Sequence, residues 1–194
     1  MPFGRFRLLS TVLAATAAIV VVPSAQAEGL GAPAYETLRP LTDISAQRVL
    51  VADKVAAAKF GTPAPIDDPA REQVVLDNVR NLSVQLGIDP AVSVAIFADQ
   101  IEANKVVQRG LYALWTAHPE LVPTEKPDLV KEVRPILDRI TVELLDQIKA
   151  TPNLRAHPAC GGVLNADRQL VSHQRHLDDL HRTALARALP SVCG

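Results

Sequence analysis

Apolar residues in this chain recur at three- and four-residue intervals over long runs, and no stretch alternates apolar with polar residues as a half-buried strand would. That pattern restricts the chain to an all-α fold, a helical bundle whose long helices bury one stripe each against their neighbours. Capping signals set the expected boundaries. A first helix runs from about 42 to 60, with Thr42 as its N-cap, and Gly61-Thr62-Pro63 stops it. Asp67 or Asp68 caps a second helix that has Pro69 at its start and ends at Gly87. Asp89-Pro90 opens a third, reaching about Ala117. A proline-punctuated loop spans 118–127, a fourth helix 129–150, a second loop 151–162 and an additional C-terminal helix 164–189.

The first 27 residues have the three parts of a secretory signal peptide. Arg5 and Arg7 give a positive start, residues 8–22 are almost wholly apolar, and Ala25-Gln26-Ala27 is a small-residue cleavage site. The competing reading is a membrane anchor, but the apolar run covers 15 residues, short of the roughly 20 a spanning helix needs. Cleavage after Ala27 is therefore expected, with no membrane association afterwards and a protein that is secreted or periplasmic. Residues 28–40, rich in Gly, Ala and Pro, read as a flexible segment, and 41–194 as a single helical domain. Cleavage removes two arginines, which leaves 18 basic against 21 acidic residues and no basic stripe, so nucleic acid is not an expected partner. The two cysteines, Cys160 and Cys193, would pair in an oxidising compartment. Free thiols in redox chemistry are the alternative, but the spacing is not C-x-x-C.

Polar residues interrupt the apolar stripes. The first helix reads Ile44, Arg48, Val51, Val55, Lys59, so Arg48 and Lys59 share a face three turns apart. The third reads Phe97, Ile101, Asn104, Gln108, Leu111, Trp115, which puts two amides on the core side. In the fourth, Arg134 lies in line with Val130 and Leu137. A lone Arg or Lys at such a place commonly snorkels to water, and a lone amide satisfies nearby backbone. Five together on three helices, without matching carboxylates on the same stripes, suggest a small anion as the partner. Phe97 and Trp115 read as core anchors. His173, His176 and His181 complete no known zinc pattern, and there is no Ser-His-Asp or Cys-His arrangement and no phosphate loop. No metal is expected.

The segment from Arg48 through Lys59 to Asp68, Arg71 and Glu72 resembles the first catalytic stretch of the AroQ-type chorismate mutases, whose R-x10-K-x8-D-x2-R-E spacing it matches. The later run from Phe97 through Asn104 to Gln108 is similar to the second stretch. The signal peptide, the extra C-terminal helix carrying Arg175-His176-Leu177-Asp178 and the cysteine pair are similar to the secreted gamma subclass.

The resemblance implies a cofactor-free Claisen rearrangement of chorismate to prephenate in a homodimer whose subunits each hold a complete site. It implies that Arg48, Arg71 and Arg134 bind the two substrate carboxylates, a task suited to a planar bidentate fork. Lys59 and Gln108 would flank the ether oxygen, Glu72 would accept from the ring hydroxyl with Asp68 supporting it, and Asn104 would line the same wall. Catalytic roles would fall to Lys59, Gln108, Arg48 and Glu72. Some family members carry Glu where this chain has Gln108. A glutamine donates at any ordinary pH, whereas a glutamate must first be protonated, so a broad pH profile is expected. The alternative is a non-catalytic exported helical protein that binds a small dicarboxylate.

Overall fold

The computed structural model describes Met1 and residues 37–194. The expected signal peptide, its cleavage site and most of the segment 28–40 lie outside the described residues. Seven α-helices, with no strand among the described residues, follow in order: α1 (Arg39–Lys59), α2 (Pro69–Leu86), α3 (Pro90–Ala117), α4 (Arg134–Ala150), α5 (Pro152–Arg155), α6 (Cys160–Gln174) and α7 (Asp179–Arg187). No helix of the described residues is long and apolar enough to cross a membrane.

Helix α1 is the central element, packed against α3, α4, α6 and α7. It can accept neighbours on so many sides because Ala46, Ala52 and Ala56, all fully buried, let other helices approach closely. The main core joins Leu41, Val49, Phe97, Val107, Leu144, Leu145, Val171 and Leu185. A smaller apolar cluster closes the far end of α1, where Phe60 meets Tyr112 and Trp115 edge-on at centroid distances of 5.0 and 5.3 Å. Phe60 thereby anchors the chain immediately after Lys59.

The capping signals place most boundaries. The Asp68 carboxylate accepts from the Arg71 backbone N–H at 3.0 Å and caps α2, so Asp68 rather than Asp67 is the cap. Gly87 ends α2 in the left-handed region at φ 71°, and the Ile88 N–H closes the turn onto the Ser83 carbonyl at 2.9 Å. Asp89 caps α3.

Three boundaries differ from expectation. Helix α1 begins at Arg39, and Thr42 is no cap: it is buried and donates its hydroxyl to the Leu38 carbonyl at 2.9 Å. The chain is instead fixed just ahead of the helix, where the Asp167 carboxylate of α6 accepts from the Leu38 N–H at 3.0 Å and the Thr37 hydroxyl accepts from the Arg39 N–H at 3.0 Å. The expected loop 151–162 contains α5 and the first turn of α6. The expected last helix is two helices. Arg175-His176-Leu177-Asp178 forms the break, with His176 at φ 51°, the Leu177 N–H bonded to the Ser172 carbonyl at 2.9 Å, and Asp178 capping α7. Leu177 is buried, and Arg175 grips Asp43 of α1 at 2.5 and 2.6 Å, so the break is tied into the core.

Ahead of α4, Leu129–Val133 form a wide π turn. Pro135 has no N–H to donate to a carbonyl four residues back, which disfavours a regular helix there. The Asp128 carboxylate accepts from the Val130 and Lys131 N–H groups, and the Glu132 carboxylate accepts from the Asp128 N–H, which stabilises the entry. Val130, placed on the apolar stripe by its spacing, is exposed at 58%, while Val133 is fully buried. Arg134 starts α4 directly behind that buried anchor. Cys160 and Cys193 are joined in a disulfide that ties the start of α6 to the chain after α7.

Candidate active site

A cavity of about 630 Å³ opens between α1, α2, α3 and the start of α4. All eight residues expected to hold substrate line it: Arg48 and Lys59 from α1, Asp68, Arg71 and Glu72 at the start of α2, Asn104 and Gln108 from α3, and Arg134 from α4. Lys59 and Gln108 thus share one cavity. Apolar walls come from Val55, Ile101, Val133 and Leu137.

Arg48 sets the electrostatics. It is 6% exposed, its Cζ lies 5.5 Å from the centroid of the Phe97 ring, and its Nη1 donates to the Thr141 hydroxyl at 3.5 Å. Its Nε has no hydrogen-bond partner, and it forms no ion pair among the described residues. Burial pushes its pKa down to about 10, against a smaller opposing pull from the Asp138 carboxylate. A guanidinium in this state is a costly group without an anion to share its field. Burial also lowers the pKa of Lys59, while the carboxylates of Asp68, Glu72 and Asp67 pull the other way. Its Nζ donates to the Pro65 carbonyl at 2.8 Å, which ties it to the loop between α1 and α2.

Gln108 is 3% exposed and donates through Nε2 to Asn104 Oδ1 at 2.7 Å. One amide hydrogen therefore remains free to donate, and its buried Oε1 has no partner. Arg71 is carried into the cavity by the first turn of α2, which Asp68 caps.

The spacing argument missed Lys105, Asp138 and Thr141, which line the same cavity. Asp138 lies one turn beyond Arg134, and Lys105 lies three residues after Glu102, so an i, i+3 charge pair was the available signal. With them the lining holds five cationic side chains and three carboxylates, an excess of two positive charges.

The family model for chorismate mutase type II matches residues 40–109, the stretch that holds every site residue expected from the sequence except Arg134. A secreted chorismate mutase of Mycolicibacterium smegmatis is 34% identical over 186 residues, covering 96% of this chain and 99% of the relative. The chain belongs to the chorismate mutase family. A second secreted chorismate mutase, from Mycobacterium tuberculosis, is 32% identical over 88% of this chain and 83% of its own length. The crystal structure of the chorismate mutase from Burkholderia phymatum superposes with a TM-score of 0.78 at 32% identity, covering 81% of this chain and 96% of that one. Both of the mycobacterial relatives are named secreted chorismate mutases, and the disulfide of this chain suits an oxidising compartment.

Proposed function

We propose that this cavity binds chorismate and turns it into prephenate by a Claisen rearrangement, with the roles assigned as follows. Arg48, Arg71 and Arg134 hold the two carboxylates and restrain the enolpyruvyl arm over the ring, which lowers the entropic part of the barrier. The Lys59 ammonium and the free amide hydrogen of Gln108 donate to the ether oxygen as its bond to carbon stretches and negative charge gathers there. Glu72 accepts from the ring hydroxyl, and Asp68 keeps Arg71 and Glu72 in place by capping α2. Asn104 orients Gln108. Electrons move in one concerted step, so the carboxylates serve as acceptors and counter-charges, not as bases.

One observation carries this reading: Arg48 is buried without a carboxylate partner in a cavity that it shares with Arg71 and Arg134, forks suited to an added dicarboxylate. The test follows absorbance of chorismate with the purified protein. Loss of chorismate with formation of prephenate is expected, and Arg48→Met should reduce kcat/KM by about 100-fold or more. Binding without turnover would make the protein a dicarboxylate-binding module instead.

The reading extends to the whole protein. The charged, apolar and small-residue parts of residues 1–27 support export with cleavage after Ala27, and the names of the relatives agree with it. A homodimer is the assembly implied by the family resemblance. Because one chain supplies all three arginines, dilution to monomer should leave the cavity complete.

A further inference from the structure

We infer that Lys105 is a positioning residue for the reaction, acting through Glu72: its buried ammonium, shared by Glu72, Glu102 and Asp67, fixes the direction of the carboxylate that receives the ring hydroxyl. This rests on the assignment of Glu72 made above.

Lys105 is 8% exposed and sits one residue beyond Asn104 on α3, at the cavity wall. An ammonium has three hydrogens to donate, and three carboxylates surround this one. Glu102 of the same helix lies at 2.5 Å, both oxygens of Glu72 at 3.2 and 3.3 Å, and Asp67 of the loop before α2 at 3.4 Å. Its hydrogens are committed, so it is not a further cation waiting for a substrate carboxylate, as Arg48 is. Burial opposes its charge, but the hydrogen bonds that it donates to Glu102 and Glu72 prevail and hold its pKa above the usual lysine value.

The pair spans two elements. Glu72 stands in the first turn of α2 and Lys105 in the middle of α3. Arg109, one turn further along α3, clamps Asp67 through both carboxylate oxygens at 2.7 and 2.9 Å. The charged groups around Glu72 are thus Lys105, Glu102 and Arg109 from α3, Asp67 and Asp68 from the loop, and Lys59 from α1, with Arg134 and Asp138 of α4 on the same cavity. Among them only Lys105 is bonded to the Glu72 carboxylate. Without it, Glu72 would keep neighbouring acids and lose its bonded cation. Its carboxylate would then be free to turn away from the ring hydroxyl.

The test assays Lys105→Met, Lys105→Arg, Glu72→Gln and the Lys105→Met/Glu72→Gln double variant on chorismate at pH 7, with folding followed by circular dichroism and Tm. Lys105→Met should lower kcat/KM about tenfold, in kcat more than in KM. The double variant should be no weaker than Glu72→Gln alone, because Lys105 acts through Glu72. Lys105→Arg, which keeps a cation beside Glu72, should recover most of that loss, and equal impairment of Lys105→Arg and Lys105→Met would overturn the inference. The inference is overturned if Lys105→Met matches the wild type while Glu72→Gln is impaired, or if the two losses multiply. If Glu72→Gln itself matches the wild type, the role of Glu72 fails and this inference with it. Should Lys105→Met not fold, Lys105→Gln replaces it in the same cycle: a loss that disappears in the Glu72→Gln background supports the inference, and no loss or one that multiplies with it overturns it.

Discussion

At the scale of single residues, the site is built from groups that are expensive to bury and are buried nonetheless. Gln108 is the most diagnostic of them. Its amide spends one hydrogen on Asn104 and keeps the other in a wall that is 3% exposed. A glutamate in its place could donate only when protonated. Kinetics of the wild type and Gln108→Glu from pH 4 to 9 should separate the two. The wild type should vary little across neutral pH, while kcat/KM of the variant should fall about tenfold per unit above its own pKa. Full activity of Gln108→Glu above pH 8 would remove Gln108 from the ether oxygen. Arg48, Lys59, Asn104, Gln108 and Arg134 were legible in the sequence because each breaks an apolar stripe, and breaking a stripe is a property of one helix. Lys105 was not legible in this way. Its partners Glu72 and Asp67 are 33 and 38 positions away, and only the packing of α2 and its loop on α3 brings them together.

At the scale of elements, the helix boundaries fall into two kinds. Those set by local chemistry, such as Asp68, Gly87 and Asp89, could be read directly. Those set by tertiary contact could not: the residue ahead of α1 is held by Asp167 of α6, and the break between α6 and α7 puts His176 in a left-handed conformation that sequence signals reserve for Gly or Asn. The second of these junctions carries a pH dependence. His181, 6% exposed at the start of α7, bonds Asp178 through Nδ1 at 2.7 Å and Asp53 of α1 through Nε2 at 2.8 Å. The bond to Asp53, with help from Asp178 and against the effect of burial, raises its pKa from 6.5 to about 9. A raised pKa means that the charged form stabilises the fold. The contribution is complete below pH 6.5 and disappears as pH rises through about 9. Both carboxylates are partly in water, which cuts the contribution to about 1–2 kcal/mol. Urea unfolding of the wild type should therefore lose that much stability between pH 6 and pH 10. His181→Gln should lose less over the same range, and equal losses in both would show that the ion pairs do not hold α7 to α1.

At the scale of the whole molecule, the catalytic cavity and the C-terminal helices are separate tasks joined by α1. The site draws on α1 to α4, and every residue placed in it lies before position 142. Helices α6 and α7 cover the opposite side, where α7 packs on α3 closely enough that a Cβ at Gly110 would lie 2.5 Å from the Leu180 side chain. The bond between Cys160 and Cys193 closes this C-terminal part at a sequence separation of 33. Its pairing was legible from the even cysteine count and the leader, but its place was not, because the first turn of α6 lay in what the sequence presented as a loop. A cross-link of that span removes unfolded-state entropy worth about 3–4 kcal/mol. For a domain of this size that corresponds to a Tm lower by about 10 °C when the bond is absent. The Cys160→Ala/Cys193→Ala double variant should show such a drop while keeping kcat/KM near the wild-type value at 25 °C, since neither sulfur touches the cavity. A variant that kept its Tm and lost its activity would reverse the division of labour, and would mean that the C-terminal helices set the shape of the cavity through α1.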